Sequence, residues 1–70
     1  MFNHRAPVLL NRQVLVNLNS GNALAGVVTF ESRTTLILRG VTVHSTDSDP
    51  APADGEVLVE RTHVDFIQML

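Results

Sequence analysis

Residues 14–38 read VLVNLNSGNALAGVVTFESRTTLIL, two alternating apolar runs around a glycine-bearing turn, then a third apolar run. Val14, Val16 and Leu18 alternate with Leu15 and Asn17, the period of two that marks a strand with one buried face. Asn19-Ser20-Gly21-Asn22 reads as a hairpin turn, because glycine and asparagine tolerate the positive φ such turns require. The chain then returns through Gly26, Val28 and Phe30 on one face. A third strand follows the connection Glu31-Ser32-Arg33-Thr34, with Leu36 and Leu38 directed inward. Gly40 marks a bulge, since the apolar parity switches beyond it to Val41 and Val43. This pattern specifies an all-β domain.

Size limits what such a domain achieves alone. The chain has 70 residues, enough for one domain, and a domain near that size buries only about 60% of its unfolded surface. Small chains reach comfortable stability with disulfides, a metal or oligomerisation. Cysteine is absent, which excludes disulfides and thiolate metal sites, so self-association is the expected route. No apolar run is long enough to span a bilayer, and the N-terminus lacks a signal-peptide layout. A cytoplasmic or virion-interior location is expected, with no membrane partner.

The formal net charge is −2, and all five basic residues are arginine. The lack of lysine, together with abundant valine and alanine, suits a GC-rich genome such as that of an actinobacterium or its phage. A general nucleic-acid binder needs several cations against phosphate, and here acids outnumber bases. A ring that gathers one arginine per subunit around a pore would still concentrate positive charge.

The remaining segments complete a single domain over residues 1–70. Residues 1–12 form a lead-in, either a short helix beginning at Pro7 and running through Val8-Leu9-Leu10-Asn11-Arg12, or an extended arm. Its apolar run must be covered in either case. Residues 45–55, STDSDPAPADG, are polar and proline-bearing and read as a loop joining the third and fourth strands. Asp47, Asp49 and Asp54 lack the spacing of a calcium loop, so no metal is expected. Glu56 to Glu60 is a strand, Arg61-Thr62-His63 a tight turn, and Val64 to Leu70 a final strand. Strands are expected near 13–18, 23–31, 34–44, 56–61 and 65–69. The expected core is Val14, Val16, Leu18, Val28, Leu36, Leu38, Val59, Val64 and Ile67, with Phe30 and Phe66 packed as core residues too.

The frame of residues 14–38 resembles the first motif of the Sm/LSm family. VERTHVDFIQML, residues 59–70, is similar to the second, in which an aliphatic-Arg-Gly strand end precedes a turn and an apolar strand. The resemblance implies a five-stranded SH3-like, strongly bent barrel with a short N-terminal helix, assembled into rings. In the family's Hfq branch the second turn carries a lysine-histidine pair that contacts uridine; here Arg61 and Thr62 stand at those places. RNA-binding members set an aspartate and an asparagine around the turn before the third strand. Glu31 or Ser32 stands near the first here and Thr35 near the second, where a hydroxyl cannot reproduce the paired donor and acceptor of an amide.

Catalysis finds no foothold in the sequence. His4, His44 and His63 are scattered, and the serines lack a nucleophile-elbow context. No enzyme activity, cofactor or small-molecule substrate is expected. Two functions compete. One is a structural or assembly module, a protomer of a homo-oligomeric ring whose seam uses Val57, Val59, Phe66 and Ile67, with virion proteins as further partners. The other is an RNA- or single-stranded nucleic-acid-binding ring using Arg33, Thr35, Arg61 and Thr62. An open SH3-like monomer that binds a protein partner is a third expectation.

Overall fold

The computed structural model describes residues 8–70. Five strands, β1 (Gln13–Leu18), β2 (Ala23–Glu31), β3 (Thr35–His44), β4 (Ala51–Glu60) and β5 (Val64–Met69), follow in chain order, with a 3-10 turn at Arg61–His63 between the last two. All neighbours are antiparallel, and the spatial order is β4-β3-β2-β1-β5. The three hairpins place β1 to β4 side by side, and the last strand returns to the far side of β1.

Alternation produces the core as the sequence implies. Val14, Val16, Val28, Leu36, Leu38 and Val59 are buried on one face of the sheet, while Leu18, Val64 and Ile67 are half-buried against them. Leu24, Val41 and, from the N-terminal turn, Leu9 complete the cluster. The parity switch at Gly40 is real: the β3–β4 register shifts between Arg39 and Val41, and Gly40 has φ +61°. Glycine enters that left-handed region at no steric cost, and the bulge there lets Leu38 and Val41 both face inward although three positions apart. Gly26 is fixed by space instead. A Cβ there would lie 2.9 Å from the Arg39 carbonyl oxygen and 3.1 Å from Val41 Cγ2.

Four expectations need correction. The sheet is open, five strands without closure into a barrel. Asn19 explains where β5 goes: its backbone N–H donates to the His63 carbonyl at 2.8 Å and its side-chain amide to the Thr62 carbonyl at 3.0 Å. These bonds draw the 3-10 turn to the β1–β2 hairpin, so β5 pairs with β1 and not with β4. The second correction concerns the N-terminus. Pro7, the expected helix start, lies outside the described residues, and Val8 to Arg12 form no helix but one turn. The Arg12 N–H donates to the Leu9 carbonyl at 2.9 Å, and Asn11 takes φ +62°, a conformation that asparagine tolerates and a helix cannot contain.

Third, β4 begins at Ala51, so half of the expected 45–55 loop is strand. Ala51, Pro52 and Ala53 pair with Val43, Thr42 and Val41. An edge strand needs neither a buried face nor an N–H at every position, which is why Pro52 fits here. Last, Phe30 and Phe66 are about half exposed, not core. The β2–β3 register shifts between Val28 and Phe30, which turns Phe30 out beside Ile37. Phe66 stands opposite Asn17 on the outer face of β1. Among the described residues, no helix is long and apolar enough to cross a membrane.

Candidate functional site

Two regions hold the residues singled out by sequence. The first is the corner where the β2–β3 turn meets the 3-10 turn. Ser32 organises it: its hydroxyl accepts the N–H groups of Thr34 and Thr35 at 3.3 and 3.0 Å, and its own N–H donates to the Thr35 carbonyl at 2.9 Å. This side chain-to-backbone turn explains why serine suits the position. Arg61 then locks onto it from the 3-10 turn. Its backbone N–H donates to the Thr34 carbonyl at 2.8 Å and its Nε to the Ser32 carbonyl at 2.9 Å. Its Nη2 lies 3.5 Å from Glu31 Oε2.

The expected nucleic-acid contact set is therefore divided. Thr35 and Arg61 are brought together, and both are engaged by the corner. The Thr35 hydroxyl lies 3.2 Å from that of Thr34, while the Arg61 guanidinium is one-third exposed and faces a carboxylate and a carbonyl. Arg33 and Thr62 are exposed beside them. The Thr62 carbonyl accepts from the Asn19 side-chain amide. Sequence reasoning placed Glu31 near an acidic position but gave neither its pairing with Arg61 within the chain nor its tie to the N-terminal turn. Glu31 Oε1 accepts the N–H of Leu9 at 2.9 Å, which only the three-dimensional return of the N-terminal turn reveals.

The second region is the β4 margin. Each edge of the sheet presents one strand with a single hydrogen-bonded neighbour, β4 on one side and β5 on the other. The Arg61-to-Thr34 bond sets the phase of the β3–β4 ladder. By antiparallel alternation, Val57 and Val59 bond to β3, and Leu58 and Glu60 direct their N–H and C=O groups to the free edge. Beside this edge runs a groove of about 400 Å³, lined by Leu18, Leu24, Val57, Leu58, Val59, Glu60 and His63. Apolar side chains dominate it, with one imidazole and one carboxylate at the rim.

The expected seam residues fall on both edges. Val59 is buried and Val57 half-buried at the groove; Ile67 is half-buried and Phe66 exposed on β5. Leu58, 61% exposed, was not singled out by sequence. It pairs with Ile37, which pairs with Phe30, so three apolar side chains form a row across the outer face. Alternation alone reads Leu58 as a solvent position, and its identity was the available signal.

Among the described residues no group of three or more histidines, cysteines, aspartates or glutamates lies close enough to hold a metal ion, and no buried side-chain nitrogen or oxygen lacks a hydrogen-bond partner. No protein-family model matches the chain, and no curated protein matches it.

Proposed function

We propose that the chain is a non-catalytic, Sm-like protomer of a homo-oligomeric ring, acting as a structural or assembly module, with a phage particle as the setting its composition suits. One observation carries the reading: an open sheet with a free strand at each margin, one of them beside an apolar groove. A free strand edge is a template for pairing with another chain. The β4 and β5 edges are different surfaces, so a contact between them is heterologous, head to tail, and closes into a ring where the rotation permits. Backbone groups of Leu58 and Glu60 supply hydrogen bonds, and the groove between Leu24 and Val57 receives apolar side chains from the inner face of the incoming strand, where β5 carries Ile67 and Met69, while Phe66 meets exposed Leu58 on the outer face.

A second reading, single-stranded nucleic-acid binding, draws on the convergence of Arg61, Thr35 and exposed Arg33 at one corner. It is the weaker of the two because Arg61 already faces Glu31 and the Ser32 carbonyl, and base stacking, which contributes about 1–3 kcal/mol per base, has only Phe30 and Phe66 to use among the phenylalanines, tyrosines and tryptophans of the described residues. Native mass spectrometry of the full chain tests the assembly. A single closed stoichiometry is expected; a ladder of open-ended lengths would refute closure, and a 7.7 kDa species alone would refute association.

A further inference from the structure

One carboxylate joins three segments that are distant in sequence. Glu31 ends β2 and points inward, paired with buried Leu36. Its Oε1 accepts the Leu9 N–H at 2.9 Å, and its Oε2 lies 3.5 Å from Arg61 Nη2. Leu9 is itself in the core. The turn that carries it is held by two further backbone bonds, Asn11 N–H to the Val28 carbonyl at 2.7 Å and Val28 N–H to the Arg12 carbonyl at 3.1 Å. At the other end, Arg61 ties the 3-10 turn to Ser32 and Thr34.

We propose that Glu31 is a two-sided latch that couples docking of the N-terminal turn to the order of the corner formed by the β2–β3 turn and the 3-10 turn. The physical reason is the position of the charge. The Glu31 side chain is only 14% exposed, and a carboxylate so placed is costly without a cationic partner. When Arg61 withdraws, the carboxylate gains by swinging to water, and the Leu9 N–H loses its acceptor. When the N-terminal turn lifts, Glu31 loses the contact that aims it at Arg61, and the guanidinium is freed toward solvent. Energetic coupling of this kind is reciprocal. Glu31 acts as a positioning residue at both ends and needs no ligand to do so. The latch holds whether the chain is a monomer or a ring, so its failure and that of the proposed assembly are separable.

Amide hydrogen exchange on the full-length chain tests the coupling, with Val16 in the core as the internal reference. In Arg61→Ala, the Leu9 and Asn11 amides are expected to exchange faster relative to Val16 by about fivefold, the factor that corresponds to losing a charge-assisted contact tempered by partial exposure. Arg33→Ala, which removes an equal charge from the same corner, leaves that ratio unchanged. Glu31→Gln has one acceptor oxygen and keeps one contact at the expense of the other; Glu31→Ala loses both, so the Leu9 and Arg61 amides speed up together. Exchange at Leu9 that rises no more than at Val16 in Arg61→Ala overturns the latch, as does an equal rise in Arg33→Ala.

Discussion

The corner around Arg61 and the margin of β4 are joined in sequence at Glu60–Arg61, yet their physical states are opposite. At the corner the polar groups are satisfied internally: the Arg61 guanidinium by Glu31 and Ser32, the turn N–H groups by the Ser32 hydroxyl, the Leu9 N–H by Glu31. At the margin the groove is lined mostly by apolar side chains, and the backbone of Leu58 and Glu60 has no strand beside it. The charge of Arg61 is therefore no guide to free binding capacity at the corner. The conspicuous cation holds the fold, and the open valence belongs to backbone and hydrocarbon. On the proposed assembly, a strand from another chain fills that vacancy.

The comparison can be broken most forcefully through the row that links the regions. Leu36 lies between Glu31 and Val59, fully buried, and Leu36→Ala is expected to lower stability by about 2–5 kcal/mol. Chemical denaturation measures it, and the loss should accompany disorder at corner and margin alike. An effect confined to one of them would mean that they do not share a core. Gly26→Val comes next, at about 1–3 kcal/mol from overpacking against Arg39 and Val41. Urea midpoints check it, and a neutral result would show that β2 and β3 can separate to admit a side chain.

Smaller effects sharpen the contrast between cations. Arg61→Ala is expected to cost about 1 kcal/mol, a value tempered by the partial exposure of the ion pair, while Arg33→Ala stays within about 0.5 kcal/mol of the parent. Thermal unfolding distinguishes them. A titration with uridine- and adenine-rich single strands at two salt concentrations adds the functional arm. Sub-micromolar, salt-dependent binding abolished by Arg61→Ala would reverse the comparison and make the corner the working site.

Much of the architecture was legible because alternation survives burial on one face. Val14 and Val16, Leu36 and Leu38, and the switch at Gly40 all report which way a side chain points, and the strand limits of β1 and β2 follow from the turn residues between them. What escaped depended on contacts between distant segments. Nothing in Ala51-Pro52-Ala53 announces a strand, because an edge strand with little buried surface needs no apolar period. The direction of β5 depends on Asn19 reaching the 3-10 turn, a bond between residues some forty positions apart, and with it goes the failure of the sheet to close. Phe30 reads as core by parity, and a register shift at Thr29 turns it outward. At the corner, Arg61 and Glu31 were visible as charges, but their mutual neutralisation within one chain and the tie to Leu9 were not.

The central claim is that the β4 edge joins the β5 edge of another copy, and Leu58→Pro addresses it directly. Proline at 58 removes an N–H that points away from β3, so the substitution is compatible with the isolated edge strand and incompatible with pairing across it. Sedimentation velocity on wild type and Leu58→Pro at micromolar concentration, with circular dichroism to verify folding, is the decisive measurement. A discrete assembly for wild type and a folded 7.7 kDa monomer for Leu58→Pro is the predicted result. A wild-type monomer, or an assembly that Leu58→Pro leaves intact, would contradict the account.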